Sequence, residues 1–509
     1  MCGIAGLVMA VSGEFGPVID RMTGQLRHRG PDGQGFVVLE PGRPLNIPAA
    51  ATPPHGAGRV FFGHRRLSII DPRGTAQPLR NEDGSVWVTF NGEIYNYREL
   101  GDWLRGRGHR LREKGDTEIL VHLYEECGAA MFSHLNGMFA LAVYDVRRDI
   151  LLLGRDRYGE KPLYYLDMGD VFAFASELQG LWPVPGFPAG AVDPMAVAQY
   201  FRYGYIPSPR TIYPDVRVLP PGHSLLRGGE PLAYWKPEVV GSKPRLAVDE
   251  VGELLDAAVA SRLVSDVPVV CFLSGGLDSS LVAESMRRAG SLATFTIATG
   301  GPDDESAVAA ATAQALGADH HEFRVEPDFV AVAARLARHY GQPFADYSCV
   351  PTYHVCRETS RLAKVALSGD GGDALFAGYE RYANLNAATV LGRFGGSTAR
   401  MVLPCLATRL LPGGDGRSHL VDFLASAWPY PAKGENLSSL FHGFWAQRCF
   451  TEDFCSLTAD AGVNRYSELF VQATSCHPLE RCLETDQRMY LADDRSEERR
   501  VGKECRSRW

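Results

Sequence analysis

Short apolar runs, separated by glycine and aspartate, recur through the first two hundred residues. Four of them keep an alternating or continuous apolar pattern over the length of a strand: VWVTFNG (86–92), GMFALAVYD (137–145), ILLLGRD (150–156) and VFAFASE (171–177). Helical spacing occurs near 18–26 and 117–126. Antiparallel strands interrupted by two helices predict an α+β domain.

The rhythm changes in the second half of the chain. From about residue 249, the apolar stretches VPVVCFL, ATFTIA, HHEFRV and LAKVALS alternate with helical patterns, which predicts an α/β doubly wound parallel sheet. Between the halves, 187–237 is rich in proline and glycine and predicts connecting structure. A helical pattern without a chemical motif covers 391–491.

Composition narrows the class of protein. A chain of 509 residues is too long to fold around a single hydrophobic core, so more than one domain is expected. No stretch approaches the about 18 consecutive apolar residues that a membrane span requires. The N-terminus lacks the positive region of a signal peptide, and the eleven cysteines include no C-x-x-C pair, so we expect a cytoplasmic protein with reduced thiols. The net charge of −8 disfavours a nucleic-acid partner.

The last fifteen residues differ from the rest. RSEERRVGKECRSRW carries six basic and three acidic side chains and no apolar period, which is typical of a segment outside the fold. We therefore treat 495–509 as an aberrant basic tail.

Two glycine-rich loops follow predicted strands in the second half. The first loop leads into a predicted helix, so its backbone N–H groups and hydroxyls suit an anion such as phosphate. Its sequence is Leu273-Ser274-Gly275-Gly276-Leu277-Asp278-Ser279-Ser280. The plain alternative is a capped strand-to-helix turn. The second loop, 368–373, ends another strand. Asp278 and Asp373 are carboxylates suited to Mg²⁺ on phosphate oxygens.

The first six residues, MCGIAG, allow two interpretations. The apolar run after Cys2 predicts a buried strand. If only these six residues are considered, this is the favoured interpretation. If Met1 is removed, Cys2 instead carries a thiol nucleophile beside an α-amine with a pKa near about 8, a usable base.

The second half resembles the synthetase domain of glutamine-dependent asparagine synthetases. The likeness rests on SGGLDSS, which is similar to the pyrophosphate loop of ATP pyrophosphatases, on VALSGDGGDALFAGYERY and on PFADYSCVPTY. It implies ATP and Mg²⁺, with Asp370 at the position that forms the acyl-adenylate. The implied ATP contacts are Leu273, Ser274, Gly275, Gly276, Asp278, Ser279, Ile297, Ser368 and Gly369.

The first half resembles class II glutamine amidotransferases, which are N-terminal-nucleophile hydrolases with a four-layer αββα fold. Six fragments carry the likeness in order: MCGIAG, RHRGPDG, GHRRLSIID, FNGEIYNY, GDTE and GRDRYGEKPLYY. Cys2 is the implied nucleophile, and Asn91 and Gly92 the implied oxyanion hole. The implied glutamine contacts are Arg66, Leu67, Ser68, Ile69, Ile70, Asn91, Gly92, Glu93 and Asp116.

Together these likenesses imply a two-site ligase. We expect an amidotransferase domain over 2–218, a linker over 219–248 and a synthetase domain over 249–494 that looks truncated. Glutamine would supply ammonia, and ATP would activate aspartate as β-aspartyl-AMP to give asparagine, AMP and pyrophosphate. A homodimer is implied by the resemblance alone.

Two alternatives stay open. The segment 200–226 is similar to a subgroup associated with exopolysaccharide gene clusters, which favours amidation of another carboxylate. The family continues beyond the equivalent of MYLADD with segments that serve adenylation, whereas here the match stops at Asp494, so a glutaminase with a non-functional synthetase half is also consistent.

Overall fold

The first part of the chain supplies twelve strands. The computed structural model describes residues 2–72, 74, 76–237, 246–290, 292–302, 304–326, 328–346, 348–379, 381–382, 449–458, 464–475 and 477–494. In chain order the strands are β1 (Gly3–Gly13), β2 (Gly33–Leu39), β3 (Gly58–Arg66), β4 (Leu79–Arg80), β5 (Val86–Ile94), β6 (Gly137–Asp145), β7 (Ile150–Arg155), β8 (Tyr164–Asp167), β9 (Val171–Ala175), β10 (Val216–Val218), β11 (His223–Leu226) and β12 (Leu232–Ala233).

Five α-helices accompany these strands. They are α1 (Gly16–Gln25), α2 (Tyr97–Gly106), α3 (Glu118–Cys127), α4 (Met131–His134) and α5 (Pro194–Tyr203), with 3-10 turns at Gly128–Ala130 and Leu178–Leu181. Helix α5 has local start and stop signals: Asp193 accepts a hydrogen bond from the Met195 N–H, and Gly204 ends the helix in the left-handed conformation.

The twelve strands form two six-stranded antiparallel sheets that pack face to face. One sheet has the order β10-β8-β9-β1-β3-β2 and the other β12-β11-β7-β6-β5-β4. Apolar side chains from both sheets, such as Ile4, Phe62, Trp87 and Leu153, form the central core. Helix α1 covers the outer face of the first sheet, and α2 and α3 cover the second. The predicted four-layer αββα domain is confirmed.

The second part contains a four-stranded parallel sheet of order β15-β14-β13-β16. Its strands are β13 (Val269–Phe272), β14 (Ala293–Ala298), β15 (Asp319–Arg324) and β16 (Val365–Leu367). Its helices are α6 (Val248–Arg262), α7 (Leu277–Ala289), α8 (Ser306–Leu316), α9 (Phe329–Tyr340), α10 (Cys349–Thr359), α11 (Gly372–Phe376), α12 (Glu452–Leu457), α13 (Arg465–Gln472), α14 (Pro478–Arg488) and α15 (Tyr490–Asp493).

Helices cover both faces of this parallel sheet. Residues of α6, α7 and α8 pack on one face around Cys271 and Leu273, whereas Val270, Phe295 and Ala366 belong to the core on the other face, where α10 contacts β14. The predicted doubly wound α/β domain is confirmed. Of the predicted helical region 391–491, residues 391–448 lie outside the described part, and α12–α15 are helical as expected. The tail 495–509 also lies outside it.

The proline- and glycine-rich stretch is more ordered than predicted. Residues 187–237 contain α5 and β10–β12, and β11 pairs with β7 at the edge of the second sheet. The structure therefore differs from the predicted linker over 219–248, since its first half completes the amidotransferase-like sheet. The sequence signal is weak because edge strands of two to four residues show almost no period. Residues 238–245 lie outside the described part.

Two candidate active sites

Cys2 lines a small cavity between the two sheets of the first domain. Strand β1 begins at the next residue, and its pairing with β3 places Gly3 opposite Arg65. The Leu67 N–H donates to the Cys2 Sγ at 3.4 Å, and the Arg29 Nε donates to the Cys2 carbonyl oxygen at 3.0 Å. Burial raises the pKa of the Cys2 thiol, and the Leu67 N–H and the Arg66 and Arg29 charges oppose this rise.

Charged groups of both signs line the same cavity. Arg66 contributes its guanidinium, whose Nη1 and Nη2 donate to the carbonyl oxygens of Gly74 and Asp71 at 2.9 and 2.6 Å. Asp116 lies in another wall, where one carboxylate oxygen accepts the Ile94 N–H at 2.9 Å. Burial raises the pKa of Asp116 to about 6, although hydrogen bonds such as that from Ile94 lower it. Such walls suit a zwitterion, with its carboxylate at Arg66 and its ammonium at Asp116.

Asn91 and Gly92 lie side by side on β5. The Asn91 side chain is fully buried, and its amide nitrogen and oxygen have no hydrogen-bond partner among the described residues. An unsatisfied buried amide costs free energy, so it is typical of a functional position. Gly92 lines the cavity with a φ of +156°.

We expect Gly92→Ala to lower kcat for glutamine hydrolysis about 10²–10³-fold, the cost of losing one oxyanion donor. An added Cβ would lie 2.0 Å from the Met138 carbonyl oxygen, so the backbone at this position must shift. Steady-state kinetics of ammonia release measures the change. Gly108→Ala, at a positive-φ glycine in open space, is the control for general backbone strain. Equal losses in both variants would contradict a specific role for Gly92.

A larger cleft, of about 770 Å³, opens at the carboxyl ends of the parallel strands. Ser274 from the loop after β13 and Ser279 from the first turn of α7 line it, and their hydroxyl oxygens lie 2.9 Å apart. The loop after β16 closes the other side. Gly369 allows a close approach, because a Cβ there would lie 2.5 Å from the Ser279 nitrogen. The two loops predicted to bind phosphate therefore meet at the N-terminus of α7.

Two carboxylates face each other in this cleft. Burial raises the pKa of Asp278, and the negative charge of Asp373 raises it further. Backbone crowds both groups, since Cβ atoms at Gly372 and Gly378 would each lie 2.2 Å from a carboxylate oxygen, of Asp278 and Asp373 respectively. Two carboxylates that destabilise each other fit a divalent cation between them.

The comparisons with known proteins follow the two-domain division. The family description "Glutamine amidotransferase domain" matches residues 51–235, and "Asparagine synthase" matches 250–498. The chain is 33% identical to asparagine synthetase (glutamine-hydrolyzing) 1 of Bacillus subtilis over 397 residues, 75% of this chain and 59% of the relative. A Methanocaldococcus jannaschii protein named "Putative asparagine synthetase (glutamine-hydrolyzing) 2" is 33% identical over 414 residues, 75% of this chain and 76% of the relative. The chain belongs to the glutamine-hydrolysing asparagine synthetase family.

The aligned part spans about three fifths of the Bacillus relative and about three quarters of the archaeal one. Among solved structures, a glutamine phosphoribosylpyrophosphate amidotransferase of B. subtilis is 18% identical, with a TM-score of 0.35 over 65% of this chain and 70% of that one. In the described residues of this asparagine synthetase family member, no helix has the length and apolarity needed to cross a membrane.

Most residues expected to bind glutamine line the small cavity, and two do not. The cavity is lined by Cys2, Arg66, Leu67, Ile69, Ile70, Gly92, Glu93 and Asp116. Asn91 lies beneath its wall, and Ser68 is outside it with its N–H bonded to Asp32 at 3.0 Å. The segment 67–70 forms neither strand nor helix, so its side chains share no common direction, and three of the four reach the cavity.

In the cleft of the synthetase-like domain, Gly275 is the exception among the expected ATP contacts. The cleft is lined by Leu273, Ser274, Gly276, Asp278, Ser279, Ile297, Ser368, Gly369, Asp370 and Asp373. The Gly275 N–H donates instead to the Glu305 carboxylate at 2.9 Å. A carboxylate bonded to this N–H indicates that the loop attracts anions.

Sequence reasoning missed several residues of both sites. Gln77 lines the cavity of Cys2 and braces β5, since its Oε1 accepts the Phe90 N–H at 2.8 Å. Glu177 accepts from Arg29 at 2.8 Å, which holds that arginine on the Cys2 backbone. In the sequence, the RHRG fragment draws attention to Arg29, but it does not reveal that Glu177 is the partner of this arginine. Glu305 and Phe376 line the cleft without any local motif.

Proposed function

We propose that this chain releases ammonia from glutamine in its first domain and uses it in the second to convert aspartate into asparagine at the expense of ATP. The observation that carries the proposal is the pairing of the two sites. A cysteine cavity with walls for a zwitterion lies in one domain, and a cleft built from two glycine-rich loops lies in the other.

In the first step, we assign the nucleophile to Cys2 after removal of Met1. Its sulfur attacks the side-chain amide carbon of glutamine while the terminal amine takes the thiol proton. Negative charge develops on the amide oxygen, and we assign the Asn91 side chain and the Gly92 N–H as the donors that would stabilise it. The amine then returns the proton to the leaving nitrogen, ammonia departs, and water hydrolyses the thioester to glutamate.

In the second step, we assign the triphosphate of ATP to the loops after β13 and β16. The aspartate side-chain carboxylate attacks the α-phosphorus, a P–O bond forms, and pyrophosphate leaves. Backbone N–H groups at the N-terminus of α7 and the hydroxyls of Ser274 and Ser279 stabilise the departing charge. Asp278 and Asp373 would hold Mg²⁺, which neutralises phosphate charge when bound. Ammonia then displaces AMP, and we assign Asp370, which lines the cleft, to the formation of the acyl-adenylate.

Two further assignments belong to this proposal. A cytoplasmic location fits the eight cysteines of the described residues, which are all free thiols. A homodimer stays a prediction from the family resemblance.

Pyrophosphate release from ATP tests the acceptor. With purified chain, Mg²⁺ and glutamine, we expect aspartate to stimulate pyrophosphate release, with asparagine and AMP formed in equal amounts. Uronic acids are the control carboxylates, since an adenylating site discriminates among acceptors by the groups that it binds. Stimulation by a control carboxylate and not by aspartate would transfer the proposal to that acceptor, and glutamate release with no ATP turnover would leave a glutaminase.

Acidic pH should weaken glutamine use. Because burial raises the pKa of Asp116 to about 6, the carboxylate that would bind the substrate ammonium is ionised above this pH and protonated below it. We expect kcat/KM for glutamine hydrolysis to fall about tenfold per pH unit below pH 6, because kcat/KM reports the free enzyme. Asp116→Asn should have a low kcat/KM without this acid limb. A limb of unchanged pKa in the variant would assign the titration to another group.

A further inference from the structure

The segment that forms one wall of the glutamine cavity is bonded to the other domain. This segment, residues 67–72 and 74, is called the glutamine loop below. Asp266 of the synthetase-like domain bonds it twice: its carboxylate accepts the Asp71 N–H at 2.7 Å, and its N–H donates to the Ile69 carbonyl oxygen at 3.2 Å. Ile69 itself lines the cavity.

A second bridge lies on the same loop. The Lys364 ammonium lies 2.7 Å from an Asp32 carboxylate oxygen and 3.3 Å from the Ser68 carbonyl oxygen. The same oxygen of Asp32 accepts the Ser68 N–H at 3.0 Å. Both charged side chains are about one fifth exposed, at 20% and 17%, so solvent screens this pair less than a surface pair.

The two bridging residues precede neighbouring strands of the parallel sheet. Asp266 comes three residues before β13, and Lys364 comes directly before β16, with Val269 paired to Val365. The opposite ends of these strands carry the two loops of the ATP cleft. The adjacent strands β13 and β16, the second of which is an edge strand, therefore contact the glutamine loop at their amino ends and the nucleotide cleft at their carboxyl ends.

We propose that Asp266 and Lys364 are positioning residues for glutamine, through which the synthetase-like domain sets the geometry of the glutamine loop. The loop has no regular backbone pairing, so the bonds to Asp266 and Lys364 and those from Arg66 restrain it. Linkage then requires that any effect of ATP on glutamine affinity is matched by an equal effect of glutamine on ATP affinity. This inference rests on the proposed glutaminase activity.

Glutamine hydrolysis by Lys364→Met and Asp266→Ala tests the inference. We expect KM for glutamine to rise about tenfold in each, with kcat changed less than threefold, since neither residue touches the reacting atoms. Asp266→Asn keeps an oxygen acceptor for the Asp71 N–H and should restore KM to within threefold of the parent chain. Arg361→Met is the matched control, because Arg361 pairs with Glu358 within its own domain.

Three results distinguish the outcomes. Parent chain that hydrolyses no glutamine refutes the proposed function itself. An active parent chain with unchanged KM in both Lys364→Met and Asp266→Ala overturns the positioning role. A loss of kcat and of thermal stability in these variants, not repaired by Asp266→Asn, also overturns it, because the bridges are then structural only.

An independent observation concerns two histidines and a glutamate on the outer face of the first domain. His122 and Glu125 lie one turn apart on α3, and His109 follows α2. The His109 and His122 Nδ1 atoms are 3.1 Å apart, and an oxygen of Glu125 lies 2.9 Å from the second and 3.7 Å from the first. Ligands about 2.0–2.1 Å from a tetrahedral Zn²⁺ are separated by about 3.3–3.4 Å, so three donor atoms have the spacing of one face of such a site.

Outer groups support the same arrangement. The His109 Nε2 lies 3.0 Å from a carboxylate oxygen of Glu126. The second carboxylate oxygen of Glu125 accepts a hydrogen bond from the Asn81 amide at 2.6 Å. With the Nε2 proton of His109 directed at Glu126, the His109 Nδ1 presents a lone pair to the centre. Carboxylates that orient ligating histidines in this way are a regular feature of metal sites.

We infer that His109, His122 and Glu125 form a structural site for a zinc-like divalent cation, completed by water on the partly exposed side. Bound metal would tie α3 to the segment after α2. The Glu118 carboxylate of α3 accepts the N–H groups of Arg112 and Glu113, both at 2.7 Å. The site would thereby stabilise the segment that leads to Asp116.

Cobalt titration of metal-free chain tests this site. We expect one Co²⁺ per chain with the intense visible absorption of tetrahedral coordination, displaced by Zn²⁺. His109→Ala should abolish the absorption, and Glu126→Gln should weaken binding about 10–100-fold. His55→Ala, at an exposed histidine outside the cluster, is the control. Absent absorption in the parent chain, or equal binding by His109→Ala and His55→Ala, overturns the inference and leaves a hydrogen-bonded histidine pair.

Discussion

Cys2→Ala is expected to lower the rate of ammonia release from glutamine by at least about 10⁴-fold, because it removes the nucleophile and leaves only binding and the oxyanion donors. With ammonium salt in place of glutamine, the variant should form product at a rate within about twofold of the parent chain, since the ATP cleft lies in the other domain. Paired assays of glutamate and of pyrophosphate measure the two halves separately.

Cys127→Ala is the matched control for Cys2→Ala. Cys127 is a partly buried free thiol at the end of α3, outside the cavity. The Cys127→Ala variant should keep both glutamine hydrolysis and the ammonia-supported reaction. A Cys2→Ala chain that still releases ammonia would place the nucleophile elsewhere, and loss of the ammonia-supported reaction would show that the two sites are not separable.

Asp278→Asn should instead lose the ATP-dependent reaction and keep glutamine hydrolysis. The variant keeps the size of the side chain and removes the charge that faces Asp373, so we expect Mg²⁺-dependent pyrophosphate release to fall about 10²-fold or more, as for loss of one charge-stabilising group. Glutamine hydrolysis should stay within about threefold of the parent chain. Asp373→Asn should reproduce this result.

The control for this pair lies at the other end of the sheet. Asp319 opens β15 and is exposed, so Asp319→Asn changes the same charge without reaching the cleft. A further check is the Mg²⁺ concentration for half-maximal rate, which should rise in Asp278→Asn and Asp373→Asn only. Unchanged Mg²⁺ dependence in both would contradict their role as cation ligands.

Local motifs predicted much of both sites because the chemistry there depends on backbone close to the reacting groups. The run after Cys2 is the strand β1, and the fragment FNGEIYNY contains both Asn91 and Gly92 on one strand. The loop 273–280 joins β13 to the start of α7 as predicted, since a strand, a glycine turn and a helix start are encoded within a dozen residues.

The fragment GRDRYGEKPLYY, which carried part of the resemblance, has a structural role. Arg155 is buried and donates to the carbonyl oxygens of Lys161 and Leu219 at 3.0 and 2.8 Å. Asp156 accepts the N–H groups of Glu160 and Lys161 at 2.9 and 3.0 Å. The motif therefore braces a turn of the first domain and does not line the glutamine cavity.

The sequence by itself determined the two domain types, and it predicted the nucleophile and the phosphate loops, because each of these is written in a short continuous segment. Only the tertiary structure decided that Glu177 restrains Arg29, that Gln77 closes the glutamine cavity, and that Asp266 and Lys364 hold the glutamine loop. The last of these contacts join residues up to 332 positions apart. Long-range partners leave no periodic or compositional trace, since a single residue suffices for each of these contacts and its neighbours in sequence face elsewhere.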